Sequence, residues 1–296
     1  MSYQEEFLKY LQYEKRCSLH TIKAYRIDLD QFVIFSHKRV GDFDVSKIDF
    51  HLLREWVVFL MENKTSARSV NRKISTLKSF FKYLLREEVV LTNPADGLIK
   101  PKMEKKLPVF VGEDALNILL DKGFFSHTFE GKRDKLILTL LYGTGVRLAE
   151  LMNLKKQGLN MQSCEIKVLG KRNKERIIPY PQSINSELND YLQIRDELFG
   201  EENSYLLLTS KGEQVYEKLI YRVVKKYLAF VTTARKRSPH IIRHSYATHL
   251  LNRGADLNAV KELLGHASLQ ATQIYTHVTF DQLIKVYKQA HPRGSN

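Results

Sequence analysis

The sequence predicts a mainly α protein of two domains, the second carrying a small β-hairpin. Three features of its 296 residues point there. Apolar side chains recur at steps of three and four along most of the chain, the spacing of one helix face. The stretch from Thr92 to Pro108 breaks that pattern, with Asn93-Pro94, Asp96-Gly97, Pro101 and Pro108 among Lys100, Lys102, Lys105 and Lys106. Prolines and a glycine so close together do not fit one helix or strand, and the lysines keep the stretch in water. Further on, Glu165 to Leu169 and Arg176 to Ile178 read as short strands around the polar turn Gly170 to Glu175. The division expected is therefore a helical domain over 1–91, a linker over 92–108 and a second domain over 109–296.

In the first domain, helical spacing recurs over 3–16, 19–37, 47–63 and 66–88. The last is the clearest. Val70, Ile74, Leu77, Phe81 and Leu84 fall on one face, and Arg68, Arg72, Ser75, Ser79, Lys82 and Arg86 on another. A basic, hydroxyl-bearing face can contact phosphates in a DNA groove, and it also fits a plain solvated surface. In the second domain, helices are expected over 112–120, 132–142, 147–154, 182–198 and 215–231. Another starts at Ser238 as N-cap with Pro239 in the first helical position. The next runs from Asp256 to a stop at Gly265, and a third begins near Ser268. A last helix spans about 279–290 and ends before Pro292.

Composition narrows the function classes. With 43% hydrophobic and 27% charged residues, the chain is neither disordered nor low-complexity. No run of about 18 apolar residues occurs, so no membrane insertion is expected. The opening residues, Met1 to Glu6, lack the basic start and apolar stretch of a secretion signal. The two cysteines, Cys17 and Cys164, form no CxxC pair, so a cytoplasmic protein without a metal site is expected. The formal net charge of +14 is the most telling number, divided as +4 over residues 1–104 and +10 over 105–296. A surplus of that size suits a polyanion such as nucleic acid.

Four stretches hold residues able to handle a phosphate. Arg147 follows Gly143-Thr-Gly-Val, where glycines permit sharp turns, and Glu150 lies three residues on. Lys171 sits in the turn of the hairpin, with Arg172 and Lys174 as neighbours that could serve instead. His240 and Arg243 share one face of a helix's first turn, where free N–H groups favour an anion. His266 follows the helix-ending Gly265, and Tyr275 follows nine residues later. Each stretch alone also fits an ordinary surface or core position. Together, two arginines, two histidines, a lysine and a tyrosine compose a phosphoryl-transfer set that needs no metal or nucleotide. Tyrosine can attack phosphorus, cations can stabilise the oxygens, and lysine can protonate a leaving group.

These stretches, in this order, resemble the tyrosine recombinases of the lambda-integrase type, and most of all the XerC/XerD chromosome-dimer recombinases of bacteria. The resemblance rests on Tyr142-Gly-Thr-Gly-Val-Arg-Leu-Ala-Glu-Leu151 and Gly170-Lys-x-Asn-Lys-Glu-Arg176. It continues in Ser238-Pro-His-x-x-Arg-His-Ser-Tyr-Ala-Thr-His-Leu-Leu251 and Leu263-Leu-Gly-His-Ala-Ser-Leu-x-x-Thr-Gln-Ile-Tyr-Thr-His-Val278. Thr21 to Leu29 is similar to the family's core-binding domain, and Ala290-His-Pro-Arg293 is Xer-like. One departure is Arg172, where a glycine is frequent.

The resemblance implies a C-shaped DNA clamp, with a core-binding domain and a catalytic domain. It implies Arg147 and Arg243 gripping the scissile phosphate, His240 as acid/base and His266 as second stabilising histidine. Lys171 would protonate the 5′ oxygen, Tyr275 would be the nucleophile and Glu150 would support the site. DNA contacts are expected from Arg68, Arg72, Lys82, Arg172 and Lys174. It further implies a dif-like duplex site, a homo- or hetero-tetramer on DNA with a possible paralogous recombinase, a C-terminal oligomerisation helix over 280–289 and an FtsK-type DNA translocase as activator. No cofactor is implied. A mobile-element integrase or invertase of the same family, a type IB topoisomerase and a non-catalytic DNA-binding protein are the alternatives.

Overall fold

The computed structural model describes residues 2–41, 43–103, 109–170, 175–265 and 290. The chain divides into two compact units, Met1–Leu107 and Pro108–Asn296.

The first unit is built from helices α1 (Tyr3–Tyr13), α2 (Leu19–Val40), α3 (Phe50–Glu62) and α4 (Ala67–Arg86). Each starts at a polar cap whose side-chain oxygen accepts a backbone N–H of the first turn: Ser2, Ser18, Asp49 and Ser66. Asp49 explains why α3 begins later than the expected residue 47. Its carboxylate takes the N–H of Leu52 at 2.8 Å, and the residues before it form a separate 3-10 turn, Val45–Lys47. The stripe Val70, Ile74, Leu77, Phe81 and Leu84 on α4 is wholly buried against Phe7, Leu29, Phe32 and Leu53. Phe7 meets Phe80 edge-on at 5.4 Å, and Phe32 meets Trp56 at 5.1 Å. Arg68, Arg72 and Lys82 lie exposed on the other side of α4. Arg72 is not free there: it donates to the carboxylate of Asp28 and, at 3.2 Å, to the carbonyl of Ala24.

The second unit runs α5 (Glu113–Asp121), α6 (Phe129–Thr144), α7 (Leu148–Met152), β1 (Leu159–Asn160), β2 (Glu165–Leu169), β3 (Glu175–Pro179), α8 (Ile184–Phe199), α9 (Glu217–Leu228), α10 (Pro239–Asn252) and α11 (Leu257–Leu264). Helix α6 is buried nearly all round and is the axis on which the others pack. It starts three residues before the expected 132, because Thr128 caps it by accepting the N–H of Gly131 at 3.3 Å. The three strands form one antiparallel sheet in the order β1-β2-β3, with Ile166 opposite Ile178 and Leu169 opposite Glu175. The inward residues Ile166, Val168 and Ile178 are buried, as period-two alternation demands. Strand β1 was not expected; two residues are too few for any alternation. Helix α10 starts where Ser238-Pro239 predicts, but Ser238 makes no side-chain cap bond there. Helix α7 is shorter than the expected 147–154, and α9 is shorter than 215–231. The helices expected near Ser268 and over 279–290 lie outside the described residues, as does the proposed 280–289 contact. No helix among the described residues is long and apolar enough to cross a membrane.

Candidate active site

Two glycines set the frame. Gly145 ends α6 in the left-handed conformation, with φ of +59°, and Gly265 ends α11 the same way, with φ of +63°. A side chain at Gly145 would strike the ring of Tyr246 on α10 at 2.4 Å. Glycine there lets the chain reverse tightly against α10 and places Arg147 as the N-cap of α7.

Helix α10 is seated on α6 by a buried hydrogen bond between Tyr142 Oη and His249 Nδ1, 2.9 Å. It is fastened to the start of this unit by Ser245 Oγ, which accepts the N–H of Val111 at 2.8 Å. Burial holds the His249 imidazole below its usual pKa, so it favours the neutral form that this bond can use. From α10, Arg243 reaches inward. His240 lies three residues earlier, exposed on a first turn whose Pro239, Ile241 and Ile242 are buried.

The centre of the site is Glu150, whose side chain is 3% exposed. It accepts the Arg147 N–H at 2.9 Å and Arg147 Nη1 at 2.7 Å. It also accepts Arg176 Nη2 at 2.8 Å and Nε at 3.4 Å. Burial pushes its carboxyl up, but the bonds from Arg176 and Arg147 outweigh this and hold it below the usual carboxylate value.

Around it, the last carbonyls of α11 each take one guanidinium. Arg176 Nη1 donates to Leu263, Arg243 Nη2 to Leu264 and Arg147 Nη2 to Gly265. Arg243 Nη1 donates also to Gly145. Helix C-terminal carbonyls have no intrahelical partner and carry the negative end of the dipole, so cations gather there. Two guanidiniums thus bond one carboxylate and a third lies beside them, an excess of two positive charges. Burial, then the neighbouring Arg147 and Arg176, bring the Arg243 pKa down to about 10, so it stays charged near neutrality. A half-buried cation excess held by preformed bonds is suited to a dianion or a phosphodiester with developing charge.

The structure therefore brings together Arg147, Glu150 and Arg243. It adds Arg176, which sequence reasoning left inside a motif without a role. The only signal was its place as last residue of the Gly170-to-Arg176 stretch; its partner Glu150 is 26 residues away. Lys171, Arg172, Lys174, His266 and Tyr275 lie outside the described residues. Arg68, Arg72 and Lys82 belong to the first unit. No group of three or more His, Cys, Asp or Glu able to hold a metal ion occurs among the described residues.

Comparison with known proteins decides the family. The phage integrase family model matches residues 117–282, and the model of the phage integrase N-terminal SAM-like domain matches residues 5–88. The chain belongs to the phage integrase family. Its relatives include tyrosine recombinase XerC of Staphylococcus saprophyticus, 38% identical over 291 residues, covering 98% of this chain and 97% of the relative. XerC of Oceanobacillus iheyensis is 40% identical over 297 residues, covering 99% and 97%. Among solved structures, the XerH site-specific recombinase bound to a palindromic difH substrate, in a post-cleavage complex, aligns with a TM-score of 0.71 at 25% identity, covering 95% of this chain and 83% of that one. The Tn1549 transposon integrase shares the fold, with a TM-score of 0.68 at 21% identity, covering 96% of this chain and 98% of that one. As a phage integrase family member of the Xer type, the chain is a site-specific tyrosine recombinase, an enzyme that cuts and rejoins DNA strands through a tyrosine nucleophile.

Proposed function

We propose that Arg147 and Arg243 grip the scissile phosphate of a double-stranded, dif-like DNA site and that Tyr275 attacks it. As Tyr275 Oη bonds to phosphorus, His240 takes the phenolic proton. The bond from phosphorus to the 5′ oxygen breaks, and Lys171 gives that oxygen its proton. The products are a 3′-phosphotyrosyl link and a free 5′-hydroxyl. Arg147, Arg243 and His266 stabilise the charge on the non-bridging oxygens. The tyrosyl ester keeps the energy of the phosphodiester, so a 5′-hydroxyl from a second duplex can reverse the step without ATP. In this reading four protomers, alone or with a paralogue, resolve chromosome dimers, with a DNA translocase of the FtsK type as activator.

The supporting observation is the cluster of three guanidiniums around Glu150 at the end of α11. Its charge excess suits an anion, and His266 is the next residue in sequence after Gly265.

Covalent trapping tests the reading. The wild-type chain and a Tyr275→Phe variant are mixed with a nicked duplex carrying a candidate dif-like site. A denaturation-resistant adduct that the Phe variant lacks is expected. An adduct only on the ends of a mobile element would move the enzyme to the integrases. Tight binding with no adduct on any duplex would defeat the assignment of Tyr275.

A further inference from the structure

We infer that Arg176 is a positioning residue for the proposed phosphate grip: by tying Glu150 to the last turn of α11, it holds Arg147 and Arg243 in register and leaves both charges available to the phosphate. The inference rests on the reading of Arg147 and Arg243 given above.

Arg176 is the second residue of β3, five residues after Lys171 in sequence. Its side chain, 18% exposed, points two ways at once. Nη2 and Nε go to Glu150, and Nη1 goes to the carbonyl of Leu263. One planar fork therefore fixes the start of α7 to the end of α11. Lysine, a single point charge, cannot span both partners in that way. Gly265 lies against the same side chain, since a Cβ there would meet Arg176 Cδ and Nε at 3.2 Å.

If Arg147 alone faced Glu150, that pair would be neutral and the phosphate would meet only the charge of Arg243. Arg176 offsets the carboxylate, so Arg147 keeps an effective charge while Glu150 still orients it. Glu150 is then faced by Arg147 from α7, Arg176 from β3 and Arg243 from α10, beside the carbonyl end of α11.

The test uses the full chain, with Arg176→Met and Arg176→Lys. Single-turnover cleavage of the nicked duplex is measured against pH, with duplex affinity against salt and thermal unfolding as companions. Arg176→Met is expected to cleave about 10²-fold more slowly, the cost of misplacing reacting groups by about an ångström. The slope of log affinity against log salt should stay at the wild-type value, because Arg176 touches no phosphate; an Arg243 variant should lose about one unit of that slope. The Met variant should also lose activity at a higher pH than wild type on the acid side, because Glu150 stays buried without its strongest partner. Arg176→Lys should recover part of the rate.

Wild-type cleavage by a folded Arg176→Met chain would overturn the positioning role. So would a fall in salt slope equal to that of the Arg243 variant. Should Arg176→Met fail to fold, Arg176→Lys decides alone: slowed cleavage at unchanged slope supports the role, and wild-type cleavage overturns it. A wild-type chain that forms no adduct removes the phosphate-grip reading, and the inference falls with it. That outcome is distinct from a wild-type chain that cleaves beside an equally active Arg176→Met variant.

Discussion

Asp28 in the first unit and Glu150 in the second are both carboxylates buried among cations, and the two sites are built to different ends. In the first unit, Asp28 on α2 is 1% exposed and is shared by three groups of α4. Lys73 donates to it at 2.8 Å and Thr76 at 2.9 Å, and Arg72 donates from the surface side. Lys73 is itself buried and donates also to Gln31. Two cations of α4 share that one carboxylate of α2, and the network joins the two helices. In the second unit, Glu150 is 3% exposed; Arg147 and Arg176 bond it, Arg243 lies beside it, and all three arginines donate also to helix-end carbonyls. Carbonyls satisfy hydrogen bonds without cancelling charge. The first network leaves one positive charge over, on the surface side at Arg72, and the second leaves two, at a helix end where an incoming anion can use them. Counting buried ion pairs would rate the two alike; counting what each leaves uncancelled separates them.

The sharpest way to break this contrast is to remove each carboxylate's role by substitution. Asp28→Ala strands Lys73 in the core, and such an uncompensated charge costs about 3–5 kcal/mol. Urea unfolding should show that loss. Replacing the pair together, Asp28→Leu with Lys73→Met, should bring stability back to within about 1 kcal/mol of wild type, because a purely structural pair can be exchanged for apolar volume. A double variant as unstable as Asp28→Ala would mean that the pair serves more than packing.

Arg243→Lys tests the other side. A point charge cannot hold Gly145 and Leu264 together and still present a fork to a phosphate. Cleavage of the nicked duplex should slow about 10²–10³-fold, the usual cost of losing a preorganised donor to developing charge. The melting temperature should move far less than in Asp28→Ala. A stability loss that matches the loss of cleavage would make the second network structural too.

Gly265→Ala should act at a smaller scale. The residue is left-handed, a conformation that costs alanine about 1–2 kcal/mol. Its Cβ would also press on Arg176 and Arg147, at 3.2 and 3.3 Å. Both stability and cleavage should fall modestly, and calorimetry with the trapping assay reads the two together. Unchanged cleavage would show that the guanidiniums tolerate a shift of the α11 end.

These contrasts also explain what the sequence could and could not tell. The buried stripe of α4 was legible because each apolar residue repeats at helical steps. The start of α10 was legible from Pro239, although the capping bond imagined for Ser238 is absent. Arg147 and Arg243 stood out only because their stretches occur with two others in the order of a known family; each alone fits an ordinary position. Partnerships between distant residues left no such mark. Lys73 reads as another surface lysine of a basic helix, and only folding brings it to Asp28, 45 residues away. Arg195 looks like a charged position on an amphipathic helix, yet it is fully buried and donates to the carbonyls of Asn203, Tyr205 and Leu206. Arg176 went unassigned for the same reason. Periodicity reports which face is buried, and it says nothing of which polar partner waits there.

The smallest effect expected is a slope, and it tells the two networks apart without disturbing the fold. Glu150 holds its proton less tightly than an ordinary carboxyl: burial raises its pKa, and the bonds from Arg176 and Arg147 lower it further than that. A carboxyl with a depressed folded pKa binds fewer protons folded than unfolded in the window between its two values. Its contribution is complete above the unfolded value, near 4.5, and is lost as pH falls through the folded one. Unfolding free energies of wild type and Glu150→Gln, measured in urea at stepped pH, should therefore differ by a constant amount from pH 7 down to about 5 and converge below about 4.5. A difference that stays constant into strong acid would mean that the arginines do not favour the ionised carboxylate. The three guanidiniums would then owe their place to the helix-end carbonyls of α11 and not to the carboxylate.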